Sequence, residues 1–458
     1  MLRTFVIILV AVVLIAFGFV WFSGKHAEVK LAQPVTAVGV ETPVRVQTDD
    51  PHGVKSFTAS IEQNGESATL YRDATKSPQK ARIYSFTAGK KEAAFLKEGL
   101  AQLVFEAKSN DFRGATTKVS KDVQVVLSPP TIVADGLQHY INQGGSELVL
   151  LDLGGNWTDA GVRVANYTSG TFARPGQPDN SNSRFSLFAY PWDVNPDTAP
   201  VAFARNGAGT DVTTMFTYKV FPKKFRESNI QLTDKNMAKV VGELDPNGTG
   251  SLVDRFVRLN REMRRENAQT IYSLRTNTEH RILWSGPFIP LKGARESYFA
   301  DKRSYYYNGK KVDEQVHLGY DLAQTTNMPV KAANSGKIIY AGRLGLYGNC
   351  VIIDHGYSLQ SLYGHMSKLM VKVGDMVQKE QQIGVSGSTG MAFGDHVHFS
   401  MMVAGYQIDP KEWWDEHWIH DRILSKIGPN AEQTTAGTAP AAPAEVASVR
   451  HHHKAHRK

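Results

Sequence analysis

From Thr4 to Phe22 the chain carries no charged residue. A helix over this run, at about 1.5 Å per residue, spans roughly 28 Å, close to the hydrocarbon thickness of a bilayer. Residues 1–24 are therefore expected to form a transmembrane signal anchor. A cleaved signal peptide is the second reading, but the run exceeds a typical h-region and no clear small-x-small site precedes Lys25. Arg3 on one flank against Lys25 and Lys30 on the other gives only a weak preference for an inside amino terminus.

The remaining chain is too long for one core, because 458 residues exceed the usual domain size and imply two to four domains. With 41% hydrophobic and 21% charged residues it is not wholly disordered. A single cysteine, Cys350, excludes an intrachain disulfide and a Cys-rich zinc module, so a metal would need histidine and carboxylate ligands. Half of the net charge of +8 sits at one end: Arg450, Lys454, Arg457 and Lys458 lie in a stretch without Asp or Glu. No groove-lining basic stripe remains elsewhere, so nucleic acid is not an expected partner.

Short alternating runs such as Val44–Gln47, Phe57–Glu62 and Leu103–Ala107, punctuated by Gly, Asn, Asp and Pro, predict a β-sandwich over 25–130. After Pro129-Pro130 a second β-rich stretch, 131–225, has the size of another immunoglobulin-like module. Over 226–283 the period changes to about 3.6, predicting two helices at Thr233–Val241 and Leu252–Ala268 on a connecting arm. The arginines of the second helix (Arg255, Arg258, Arg261, Arg264 and Arg265) read as a solvated face. A Gly-rich, β-branched segment then fills 284–427, and the Ala/Thr/Pro-rich, basic stretch 428–458 reads as a disordered tail. The fold class expected is multidomain and mainly β, with an antiparallel sheet in the 284–427 segment.

That segment concentrates the chemistry, with His317, His355, His365, His396, His398 and His417. Asp321 follows His317 by four residues; an extended backbone would hold the pair about 13 Å apart, so the chain must bend, and Gly319 permits a bend. His396 and His398, two apart on a strand, share one face, with Val397 and Phe399 turned into a core. A His, Asp, His set leaves a fourth tetrahedral position for water, as in catalytic zinc sites, although His365 or His396 could close the site as a fourth ligand. Spacing alone does not decide which histidine of the pair binds. His355 and Cys350 read as core residues, Tyr305, Tyr306 and Tyr307 as groove border or core, and the tryptophans of Glu412–Trp418 as core.

The run His317 to Asp321, then Tyr363-Gly-His365, Gly384-Val-Ser-Gly387-Ser-Thr-Gly390 and His396-Val-His398-Phe399 resembles the lysostaphin-type, or LytM-like, zinc endopeptidases of bacterial peptidoglycan, in a membrane-anchored branch. The resemblance covers roughly Arg295 to Trp418. It implies one zinc ion held by His317, Asp321 and His398, with His365 and His396 as non-ligand catalytic histidines. It also implies peptidoglycan peptides as substrate and export of the bulk of the chain, with the catalytic domain outside the cytoplasmic membrane, on the periplasmic side. Wall-assembly proteins are further candidate partners. Where relatives commonly have Pro before the His-x-His pair and Glu after its Phe, this chain has Asp395 and Ser400. The alternative is a non-catalytic regulator of a wall amidase, a class that has lost metal ligands, whereas all five site residues are retained here.

Overall fold

The structure, a computed structural model, describes residues 26–428 except Phe112 and Gln324. The apolar run Thr4–Phe22 and the basic tail with His451, His452, His453 and His456 lie outside the described residues. Among the described residues no helix is long and apolar enough to cross a membrane.

The chain divides into two units. The first contains the described chain up to Leu137 together with 151–163 and 200–217; the second contains 138–150, 164–199 and the described residues from Tyr218 onward. The division cuts through residues 131–225, expected above to form one module.

In the first unit, alternation makes a sandwich. Phe57, Ala59 and Ile61 on one strand and Leu103, Phe105 and Ala107 on its antiparallel neighbour point inward, and the intervening residues other than the buried Val104 are more exposed. These strands belong to a five-stranded sheet that shares its core with a three-stranded sheet through Val44, Val46 and Tyr84. The sequence-derived strands Val44–Gln47, Phe57–Glu62 and Leu103–Ala107 all fall within observed strands.

The second unit is built on an antiparallel sheet in the order Ala294–Ser297, Tyr320–Ala323, His396–Val403, Leu359–Met366, Asn349–Asp354, Gly336–Arg343 and Met376–Val377, with Tyr406–Ile408 added beside His396–Val403. The strands Leu359–Met366 and His396–Val403 are buried at every position, which requires cover on both faces. On one face Val397, Phe399, Met401 and Tyr363 join a core with Trp284, Phe288 and Trp413. On the other, Met402, Leu362 and Ile352 pack with Ile271 of a helix.

That helix, Leu252–Ser273, and the preceding Asp234–Leu244 are where the sequence places them, capped by Ser251 and Thr233 side chains that accept from the Asp254 and Asn236 amides. The expectation of a mere connecting arm needs correction. Glu227–Gln231 pairs in parallel with Asp301–Tyr307, which forms a hairpin with Lys310–His317, so the arm supplies a strand to the sheet bearing a site histidine. Met237, Val240, Val241, Phe256 and Leu259 then bury Tyr305. An apolar helical face beside an open strand edge explains why these residues dock.

His355 is a core residue, as its sequence context predicts. It is fully buried, its Nδ1–H donates to the Ser335 carbonyl at 2.7 Å, and its Nε2 stands 2.7 Å from Ser361 Oγ. Burial pushes its pKa down to about 4. Because the folded value lies below the ordinary one, near 6.5, the stability this histidine contributes is fully present above about pH 6.5 and is lost as pH falls toward 4. The linkage is worth on the order of 3 kcal/mol. Urea unfolding of the wild type and His355→Gln should show a stability gap at pH 7 that narrows at pH 4.5; a gap independent of pH would contradict the assignment.

Candidate active site

The strand Lys310–His317 ends at His317, the chain breaks for two residues, and Tyr320–Ala323 begins on the neighbouring sheet, pairing with His396–Val403 so that Asp321 lies opposite His398. Gly319 does more than permit the bend. A Cβ there would come within 2.6 Å of His398 Nε2, Phe399 O and Ser400 Oγ, so the backbone passes against the facing strand only because no side chain intervenes.

Three ligand-type atoms converge as a result. His317 Nε2 lies 2.9 Å from Asp321 Oδ1 and 2.9 Å from His398 Nδ1, and the last two are 3.1 Å apart. These three side chains form the one metal-holding group of this kind among the described residues. His396 Nε2 stays 3.6 Å from Asp321 Oδ1, and the triad does not take in His365 or His396 as a fourth ligand.

Neighbouring groups fix the tautomers. His317 Nδ1 faces the Tyr298 carbonyl and Ser297 Oγ, each at 3.2 Å; the serine proton goes to Asp301 Oδ2 at 3.1 Å, so both neighbours accept, the proton sits on Nδ1 and Nε2 is bare. Ser400 Oγ donates to the Leu318 carbonyl at 2.6 Å and therefore accepts from His398 Nε2–H at 2.8 Å, leaving His398 Nδ1 bare. Two imidazole lone pairs and a carboxylate oxygen thus point at one another in a buried site. Such a set repels itself unless a cation lies between, and atoms about 3 Å apart admit an ion at the roughly 2 Å bond length of zinc. The donor set fits a divalent metal.

Electrostatics agree with the proton placement. Burial, followed by the Arg303 charge, pushes His317 down to about 3. Burial opposes ionisation of Asp321, but the surrounding charges and hydrogen bonds, the Arg303 guanidinium among them, outweigh it and hold its pKa well below the usual carboxylate range. Arg303 Nη2 donates to Asp321 Oδ2 at 2.6 Å, which keeps Oδ1 turned toward the histidines.

His365 reaches the site by an unusual backbone. Strand alternation would turn it to the Tyr363 face, into the core, but its φ of 63° is left-handed and rotates it away. Its Nδ1–H donates to the Thr389 carbonyl at 2.8 Å, and His396 Nδ1–H donates to Gly394 O at 2.9 Å. Both rings therefore carry bare Nε2 atoms, and both line the cavity of about 310 Å³ that also contains His317, Asp321 and His398. Burial, then the neighbouring histidines, holds the His365 pKa well below its ordinary value.

The five residues singled out in the sequence are thus brought together. Tyr305 lines the same cavity while packing on Phe256. Sequence reasoning missed Ser400, noted only as a departure, and Arg303, whose position before Ser304-Tyr305 carries no motif. It also missed Arg264, which lines the cavity although it was read as part of a solvated face.

Residues 315–410 match peptidase family M23. The chain carries a domain of this family, which includes the LytM-like and lysostaphin-type peptidases. It is 33% identical over 113 residues to the peptidoglycan DD-endopeptidase ShyB of Vibrio cholerae, covering 25% of this chain and 26% of that protein. To lysostaphin of Staphylococcus staphylolyticus it is 42% identical over 97 residues, covering 21% and 20%. The chain thus matches only about a quarter or less of the length of these relatives. Among solved structures, the catalytic domain of lysostaphin from Staphylococcus simulans is 33% identical, with 31% of this chain and 94% of that one covered and a TM-score of 0.20. A peptidase M23 structure from Pseudomonas aeruginosa is 21% identical, with 58% and 91% covered and a TM-score of 0.35.

Ser400→Ala removes the acceptor that holds His398 Nε2–H. Metal affinity should fall about 10- to 100-fold with little change in fold, read by competition with a chelator. Unchanged affinity would contradict the tautomer assignment.

Proposed function

We propose that the protein is a zinc-dependent endopeptidase that hydrolyses peptide bonds in peptidoglycan stem peptides or cross-links, anchored through the apolar run Thr4–Phe22 with the catalytic domain outside the cytoplasmic membrane. The observation that carries the reading is the convergence of three bare ligand atoms beside two further histidines whose Nε2 atoms are also bare. The M23 match supports a peptidase, and the name of the Vibrio relative supports the substrate class.

In this reading His317 Nε2, Asp321 Oδ1 and His398 Nδ1 hold the ion. Zinc, when bound, supplies a water of lowered pKa and polarises the scissile carbonyl. His365 is unprotonated at neutral pH and takes up a proton at Nε2, while the Thr389 carbonyl fixes its ring. His396, oriented by the Gly394 carbonyl, presents Nε2 to the same cavity, where it orients the attacking water. Asp321 stays ionised, and Arg303 keeps its carboxylate in register. The regulator reading predicts a lost ligand and finds no support in this site.

Detergent-solubilised full-length chain should contain one zinc and release peptide fragments from purified peptidoglycan. Asp321→Ala should lose both metal and hydrolysis, whereas His396→Ala should keep the metal and lose at least about 100-fold in rate. Wild-type chain with full zinc and no fragment release from any peptidoglycan would overturn the proposal.

A further inference from the structure

Three arginines line the cavity that holds the candidate metal ligands: Arg226, Arg264 and Arg303. Arg303 is occupied, since it pairs with Asp321 at 2.6 Å and with Asp301 at 3.7 Å. Arg264 differs. It comes from the helix Leu252–Ser273, outside the residues that match the peptidase family.

On that helix Arg255 and Arg258 pair with Asp245, and Arg261 pairs with Asp313. Among the described residues Arg264 has no carboxylate partner. Its Nη2 donates to Asn260 Oδ1 at 2.9 Å, a neutral acceptor, and its Nε is buried without any partner. Asn260 is itself fully buried and anchored, donating to Asp313 Oδ2 at 2.8 Å. The guanidinium is therefore held in one orientation by a group that does not neutralise it.

Its position relative to the site is fixed as well. The Leu346 amide donates to Asn267 Oδ1 at 2.9 Å, and a Cβ at Gly345, whose φ is 39°, would come within 2.5 Å of Asn267 Nδ2. The helix and the Gly345–Tyr347 turn are thus in close contact, and the Tyr347 ring centroid lies 5.1 Å from that of His398. A fixed, partly desolvated guanidinium with unused donors, beside the reacting centre, matches the geometry of a carboxylate better than that of any neutral group.

We propose that Arg264 is a specificity-determining residue that binds a carboxylate of the peptide substrate close to the scissile bond. The inference rests on the peptidase reading above, so its test reads binding and not turnover. Full-length chain, stripped of metal with a chelator, is titrated with a soluble cross-linked peptidoglycan peptide whose carboxylates are free and with the same peptide fully amidated. The wild type should bind the free acid at least tenfold more tightly. Arg264→Gln should bind the two alike, Arg264→Lys should keep part of the preference, and Arg226→Gln should keep it all, with circular dichroism and melting temperature unchanged in each.

Equal binding of both peptides by the wild type, no binding of either, or a preference that survives in Arg264→Gln would overturn the assignment. So would a preference lost only in Arg226→Gln. Failure of the zinc-loaded chain to cut peptidoglycan counts against the peptidase reading alone and leaves this comparison intact.

Discussion

The second unit is organised around three lone pairs that face one another across about 3 Å in a buried place. Left alone they repel, and each is held there by something else. The Tyr298 carbonyl accepts from the far side of His317, Ser400 accepts from the far side of His398, and Arg303 fixes the outer oxygen of Asp321. Gly319 lets two strands close to the distance at which this is achieved. A cation turns the repulsion into attraction, and the surrounding sheet supplies the rigidity that loops could not.

Sheet geometry explains why so much of this was legible. His396 and His398 are two apart on a strand and share a face, while Val397 and Phe399 enter the core, as a period of two dictates. Separation along the chain also required a break between His317 and Asp321, and the strand does end there. His355 and Trp413 followed the ordinary rule that large or bonded groups sit in the core.

What escaped the sequence is of a different kind. Nothing in Tyr363-Gly-His365 announces that His365 adopts a left-handed backbone, because that choice goes with a register shift against Asn349–Asp354 and with the contact to Thr389, both remote in sequence. The arm looked like a spacer because the partner of Glu227–Gln231 lies some seventy residues on, at Asp301–Tyr307, and no local period encodes a parallel pairing across that distance. Arginines on one helix cannot be sorted from their spacing into those that meet an aspartate and the one that meets the cavity.

The central claim is that His317, Asp321 and His398 form a site that is complete only with a cation. Metal-stripped chain titrated with zinc, with bound ion and melting temperature followed together, tests it most directly. The account predicts saturation at one ion per chain, a rise in melting temperature on binding, and loss of both in Asp321→Ala. Stoichiometric binding that persists in Asp321→Ala, or a wild type that binds no zinc, would contradict it.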